Sequence, residues 1–76
     1  MSSGYSLRLR DLNLKADIRR VGVELGRLCI EYDIPVTVVA KSMKVSRATV
    51  YNWFGGVSEP SIAVAPLIMQ YISKLK

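Results

Sequence analysis

From Leu14 to Tyr32 the large apolar residues recur at steps of four, three, four, three and four: Leu14, Ile18, Val21, Leu25, Leu28 and Tyr32. That is the spacing of one face of an α-helix, and it predicts a single helix across the whole stretch. Asp17, Arg20, Glu24, Arg27 and Glu31 fall on the opposite face. Asn13 stands where an N-cap belongs, and Ile34-Pro35 ends the helix, because proline disfavours the α conformation in the residue before it. Arg27 and Glu31, one turn apart, make an exposed ion pair of a few tenths of a kcal/mol. Gly22 and Gly26 lie four apart, and each costs about 1 kcal/mol against alanine in a helix interior. Two glycines on one ridge predict that another helix crosses there at close range.

The chain has 76 residues, room for one domain and one core. A domain of this size buries only about 60% of the surface its unfolded form exposes, which is too little for an enzyme-sized cleft. There is no histidine and one cysteine, Cys29. Zinc sites, an internal disulfide and Ser–His or Cys–His catalysis are thereby excluded, and no metal, cofactor or small-molecule ligand is expected. An enzyme is not expected either, since no acid–base pair or phosphate loop accompanies the serines and lysines. The longest apolar run, Ile62 to Met69, is too short to span a bilayer. No signal peptide opens the chain, so the expectation is a soluble, cytoplasmic protein of a bacterial or phage-infected cell, without membrane contact. Net charge is +5. From residue 36 onward five cations, Lys41, Lys44, Arg47, Lys74 and Lys76, face Glu59 alone. Three of them crowd between residues 41 and 47, which makes this stretch the candidate anion-facing surface.

Residues 1–4 are small and polar, and disorder is expected there. Residues 5–10 alternate apolar and polar, a strand period. This gives a division into an N-terminal arm, 1–13, partly extended or disordered, and a helical domain, 14–76. The arm would lie on the domain, exchange as a strand between protomers, or reach DNA through Arg8 and Arg10. Further on, Val36-Thr37-Val38-Val39 has strand propensity, yet Pro35 suits a helix start and Val36, Val39/Ala40 and Met43 make a helical face. Burial of that face outweighs propensity and predicts a helix over 36–43. Lys44-Val45 reads as a turn, Ser46 as an N-cap, and residues 47–54 as a helix stopped by Gly55-Gly56. Pro66 forbids a helix begun at Ser61, so the last helix should start near Ala65.

Two short helices joined by about three residues have the geometry of a helix-turn-helix. The run Val39-Ala40-Lys41-Ser42-Met43-Lys44-Val45-Ser46-Arg47-Ala48-Thr49-Val50-Tyr51-Asn52-Trp53-Phe54-Gly55-Gly56, followed by Glu59-Pro60-Ser61, resembles the lambda repressor/Cro-type helix-turn-helix family. The resemblance covers residues 21–76. It implies an all-α, four- to five-helix lambda-repressor-like domain, with Ala40 where the two helices cross, Val45 closing the turn and Ser46 opening the second helix. Two positions depart from the pattern. Lys44 stands where the family usually has glycine, and Val36 stands where a phosphate-binding glutamine is common, with Thr37 beside it as a partial substitute.

A helix fits the major groove, and its N-terminal half reaches base edges. On 47–54 the outward residues are Arg47, Ala48, Thr49, Tyr51 and Asn52. Arg47 can grip guanine with two bonds, Asn52 can pair with adenine, and Ala48, Thr49 and Tyr51 can touch thymine methyls. Thr37, Lys41, Lys44, Ser46, Gly55 with Gly56, and Ser58 are the candidate phosphate contacts. Trp53 falls on the Val50 face and reads as core rather than a stacking platform, as does Cys29 on the first helix. Lys74 and Lys76 read as tail charges favourable to a helix C-terminus.

The functional expectation is sequence-specific binding of double-stranded DNA by a small transcriptional regulator, a repressor of phage or mobile-element type. It would act as a homodimer reading two half-sites. The dimer surface would be Met69, Ile72 and Leu75, the glycine ridge, or the arm at 5–10. The alternatives are a DNA-recognition subunit of a packaging or recombination machine, and a protein-binding adaptor using an apolar patch of Val36, Val38 and Tyr51.

Overall fold

The computed structural model describes residues 5–76, and the disorder expected for residues 1–4 lies outside them. The described chain is all-helical: α1 (Leu7–Lys15), α2 (Val21–Glu31), α3 (Val36–Met43), α4 (Arg47–Phe54) and α5 (Ala65–Leu75). No strand occurs among the described residues.

The extended arm is replaced by α1. Ser6 caps it, its hydroxyl accepting the Leu9 N–H at 3.1 Å, and Lys15 in the last turn complements the helix dipole. The alternation over 5–10 also fits a helix, because Tyr5, Leu9 and Asn13 recur every fourth residue. Those are the residues the fold buries. The Tyr5 ring lies 6.1 Å from that of Phe54, centroid to centroid, and its hydroxyl donates to the Ile34 carbonyl. Burying this stripe overrides the strand period, so neither an exchanged strand nor a free arm forms from residues 5–13.

Asn13 is not an N-cap. It sits inside α1, 1% exposed, and its amide nitrogen donates to the Val23 carbonyl at 3.1 Å and the Phe54 carbonyl at 2.7 Å. Arg27 closes the cluster, donating to the Asn13 side-chain oxygen at 3.3 Å and to its backbone carbonyl at 2.8 Å. The expected Arg27–Glu31 pair is absent, because the guanidinium is turned to Asn13 instead.

The continuous helix over 14–32 is interrupted at residues 16–20. The Asp17 carboxylate accepts the Arg19 N–H at 2.9 Å and the Arg19 guanidinium at 2.9 Å. A carboxylate bonded to the backbone two residues on stabilises a turn against a helix. These bonds hold the Asp17 carboxyl at about 2, below its usual range. Leu14 and Ile18 are therefore exposed, and the regular apolar spacing runs across two separate helices.

The glycine ridge of α2 does receive another helix. A Cβ on Gly22 would lie 2.8 Å from Trp53 Cβ, and one on Gly26 would lie 2.7 Å from Phe54 Cγ. Only hydrogen fits, so α4 seats its C-terminal half directly on the α2 backbone. The ridge is thus consumed inside the domain and is not open to a second protomer. Trp53, Phe54, Val50, Val39, Ala40, Leu25 and Cys29 are buried together, and burial pushes the Cys29 thiol up to about 12. Val36 is buried too, which removes it from any surface patch.

α3 and α4 occupy 36–43 and 47–54, as expected. Between them Lys44 adopts φ 58°, a left-handed conformation that costs about 1 kcal/mol in a residue bearing a side chain. The Val45 N–H, bonded to the Ala40 carbonyl at 3.0 Å, secures that turn. α5 starts at Ala65 with Pro66 in its first turn, as Pro66 requires. It buries Ile68 and Ile72 and leaves Leu67 and Met69 outside, so Ile72 cannot serve a dimer surface.

Candidate nucleic-acid interface

Ser46 opens α4 as an N-cap. Its hydroxyl accepts the Thr49 N–H at 3.2 Å and lies 2.9 Å from the Thr49 hydroxyl. With Val50, Trp53 and Phe54 committed to the core, the helical period turns Arg47, Ala48, Tyr51 and Asn52 to solvent, and all four are exposed. Thr49 is half-buried and its hydroxyl is tied to Ser46, which leaves chiefly its methyl free to touch a partner.

The turn brings the cations together. Thr37, Ala40, Lys41, Lys44, Val45 and Arg47 line one shallow depression where the edge of α3 meets the start of α4. None of the three cations has a carboxylate within ion-pair distance among the described residues. Four cations elsewhere have acid partners: Lys15 pairs with Asp11 at 2.9 Å, Arg19 with Asp17 at 2.9 Å, Lys76 with Glu24 at 2.9 Å and Arg20 with Glu59 at 3.8 Å. Glu59, the sole acid after residue 36, is thus drawn to Arg20, away from the Lys41–Arg47 edge.

The remaining candidates separate. Ser58 is exposed in the loop after α4. The Gly55 and Gly56 N–H groups donate to the Tyr51 and Trp53 carbonyls at 3.0 and 3.2 Å, so the glycine backbone has no free donor for a phosphate. Gly56, at φ 74°, ends α4 in a conformation suited to glycine. Arg8 and Arg10 lie on α1, two residues apart and so on different sides of it. Arg8 is exposed and shares a second depression with Tyr51 of α4. Arg10 turns into the groove between α1 and α2, beside Arg27 and Glu31.

Sequence reasoning missed two features. Asn13 anchors the end of α4, and α1 brings Arg8 beside Tyr51. The four-residue spacing of Tyr5, Leu9 and Asn13 was the available signal that residues 5–13 form a helix, and nothing local signalled the partners of Asn13.

No helix here is long and apolar enough to cross a membrane, and no cluster of metal-ligating side chains occurs among the described residues. Comparison with protein-family models, with curated proteins and with solved structures finds no match to this chain.

Proposed function

We propose that the chain binds double-stranded DNA with sequence preference, as a small transcriptional regulator of the lambda repressor/Cro helix-turn-helix type. The observation that carries this reading is the unpaired Lys41–Lys44–Arg47 edge beside the outward face of α4. A positive edge meets phosphates and supplies affinity, while the adjoining helix supplies side chains to read bases. Arg47, Ala48, Tyr51 and Asn52 are the base-reading set, with the Thr49 methyl at its margin. Lys41, Lys44, Thr37, Ser46 and Ser58 are the phosphate set. An eight-residue reading helix touches few base pairs, so a homodimer on two half-sites about 34 Å apart is the arrangement that gives useful specificity. Exposed Met69 and Leu67 are the apolar residues that α5 offers for it.

Selection of bound sequences from a random duplex pool tests the reading. A palindromic consensus, retarded in a gel and released by salt, is the expected result. No retardation of any duplex at low ionic strength overturns it. Binding to a protein partner that persists in Arg47→Ala and in high salt would mark an adaptor instead.

A further inference from the structure

We propose that α1 supplies a phosphate contact on the DNA strand opposite the one held by Lys41 and Lys44, through Arg8, so that α4 lies bracketed across the major groove. The inference rests on the DNA-binding reading above and adds a second side to the interface.

Arg47 and Tyr51 are one turn apart on the exposed face of α4, separated by about 6 Å along the axis. Each lines a different depression. Arg47 shares one with Lys41 and Lys44, and Tyr51 shares the other with Ser6, Arg8, Leu9 and Leu12. α3, which carries Lys41, and α1, which carries Arg8, pack on α4 as separate neighbours, so the outward face of α4 is bordered by cations from two different helices. Arg8 is exposed and has no carboxylate partner among the described residues, unlike Lys15 at the other end of α1. α1 is held in place by rigid contacts. Tyr5 packs on Phe54, and Asn13 donates to the Phe54 carbonyl at 2.7 Å. Both tie the segment 5–13 to the end of the reading helix, so the α1 backbone at Arg8 is held beside Tyr51. The major groove is about 12 Å wide, and a helix seated in it has a phosphate strand on each side. A cation beyond each flank of α4 meets both strands. Arg8 then contributes register and affinity without reading sequence.

The test uses the full chain and a short duplex that the wild type selects from a random-sequence pool. Arg8→Gln is expected to weaken binding equally on consensus and altered duplexes and to lower the slope of log affinity against log salt by about 0.9. Arg8→Lys should keep the wild-type slope. Lys74→Gln, the same charge change on exposed α5, should also keep it. Circular dichroism should show wild-type melting for all three. Phosphate-ethylation interference should lose one site in Arg8→Gln, on the strand opposite the site lost in Lys44→Gln. An unchanged slope in Arg8→Gln, with wild-type binding intact, overturns the inference and leaves the DNA reading standing. Loss on the same strand as Lys44→Gln also overturns the bracket. A wild type that selects no duplex removes both.

Discussion

Two regions of this domain handle positive charge differently. Around α1, α2 and the end of α5, Lys15, Arg19, Arg20 and Lys76 each have a carboxylate nearby. Around the α3–α4 turn, Lys41, Lys44 and Arg47 have none, and the outward face of α4 beside them carries no acid. Exposed ion pairs contribute only about 0–1 kcal/mol to stability, so pairing in the first region does little to hold the fold. Its larger effect is to lower the field there, where Arg8, Arg10, Arg27 and Lys74 alone lack a carboxylate partner among the described residues, relative to the edge beside α4. Lys41, Lys44 and Arg47 thus supply three of the five net charges, and the rest of the chain supplies two.

Neutralising each region in turn should break this comparison most strongly. Lys41→Gln, Lys44→Gln and Arg47→Gln together are expected to cost about a hundredfold or more in DNA affinity with little change in melting. Lys15→Gln, Arg19→Gln and Lys76→Gln together should leave affinity near wild type. Equal losses from the two triple variants, measured by gel retardation, would show that only total charge matters.

Asn13→Ala comes next and acts through the seam between the regions. It removes the donor from the Val23 and Phe54 carbonyls and the side-chain acceptor of Arg27 Nε, while the Arg27 bond to the residue 13 backbone carbonyl is kept. Leaving buried groups unpaired should destabilise the domain by about 2–3 kcal/mol in chemical denaturation. The salt slope of whatever chain remains folded should be unchanged. Arg47→Ala should cost about 1–3 kcal/mol of binding and relax preference at one base position, whereas uniform weakening would make it a phosphate contact.

These variants also mark what the residue pattern discloses. α3, α4 and α5 were legible because Pro35, Ser46, Gly56 and Pro66 act locally, through backbone geometry that a short window contains. The inward Val50 and Trp53 and the outward Arg47, Tyr51 and Asn52 followed from the helical period alone. α1 was not legible, because six alternating residues satisfy both a strand and a helix until the core accepts Tyr5 and Leu9. The break before α2 was hidden by an apolar spacing that continues through it, while Asp17 captures the backbone locally. The roles of Asn13 and Arg27 depend on partners up to 41 residues away, which no local pattern states.

A smaller effect concerns alkaline pH. The folded Cys29 thiol is pushed from 9.0 up to about 12 by burial, and the Tyr5 hydroxyl is raised by the same cause. Folding therefore favours the protonated forms. Their contribution is complete below pH 9 and is lost progressively as pH rises toward 12. The melting temperature should be flat near neutrality and fall above pH 9, and Cys29→Ala should fall less steeply. At the bottom of the scale, Lys15→Gln alone removes an exposed i,i+4 pair and should shift stability by less than about 0.5 kcal/mol.

The most direct measurement is amide chemical-shift mapping of the labelled full chain titrated with its selected duplex. Perturbations should cluster at Lys41, Lys44, Arg47, Ala48, Tyr51 and Asn52, with Arg8 joining them from α1. Perturbations confined to the ion-paired surface of Lys15, Arg19 and Lys76, with α4 silent, would contradict the account.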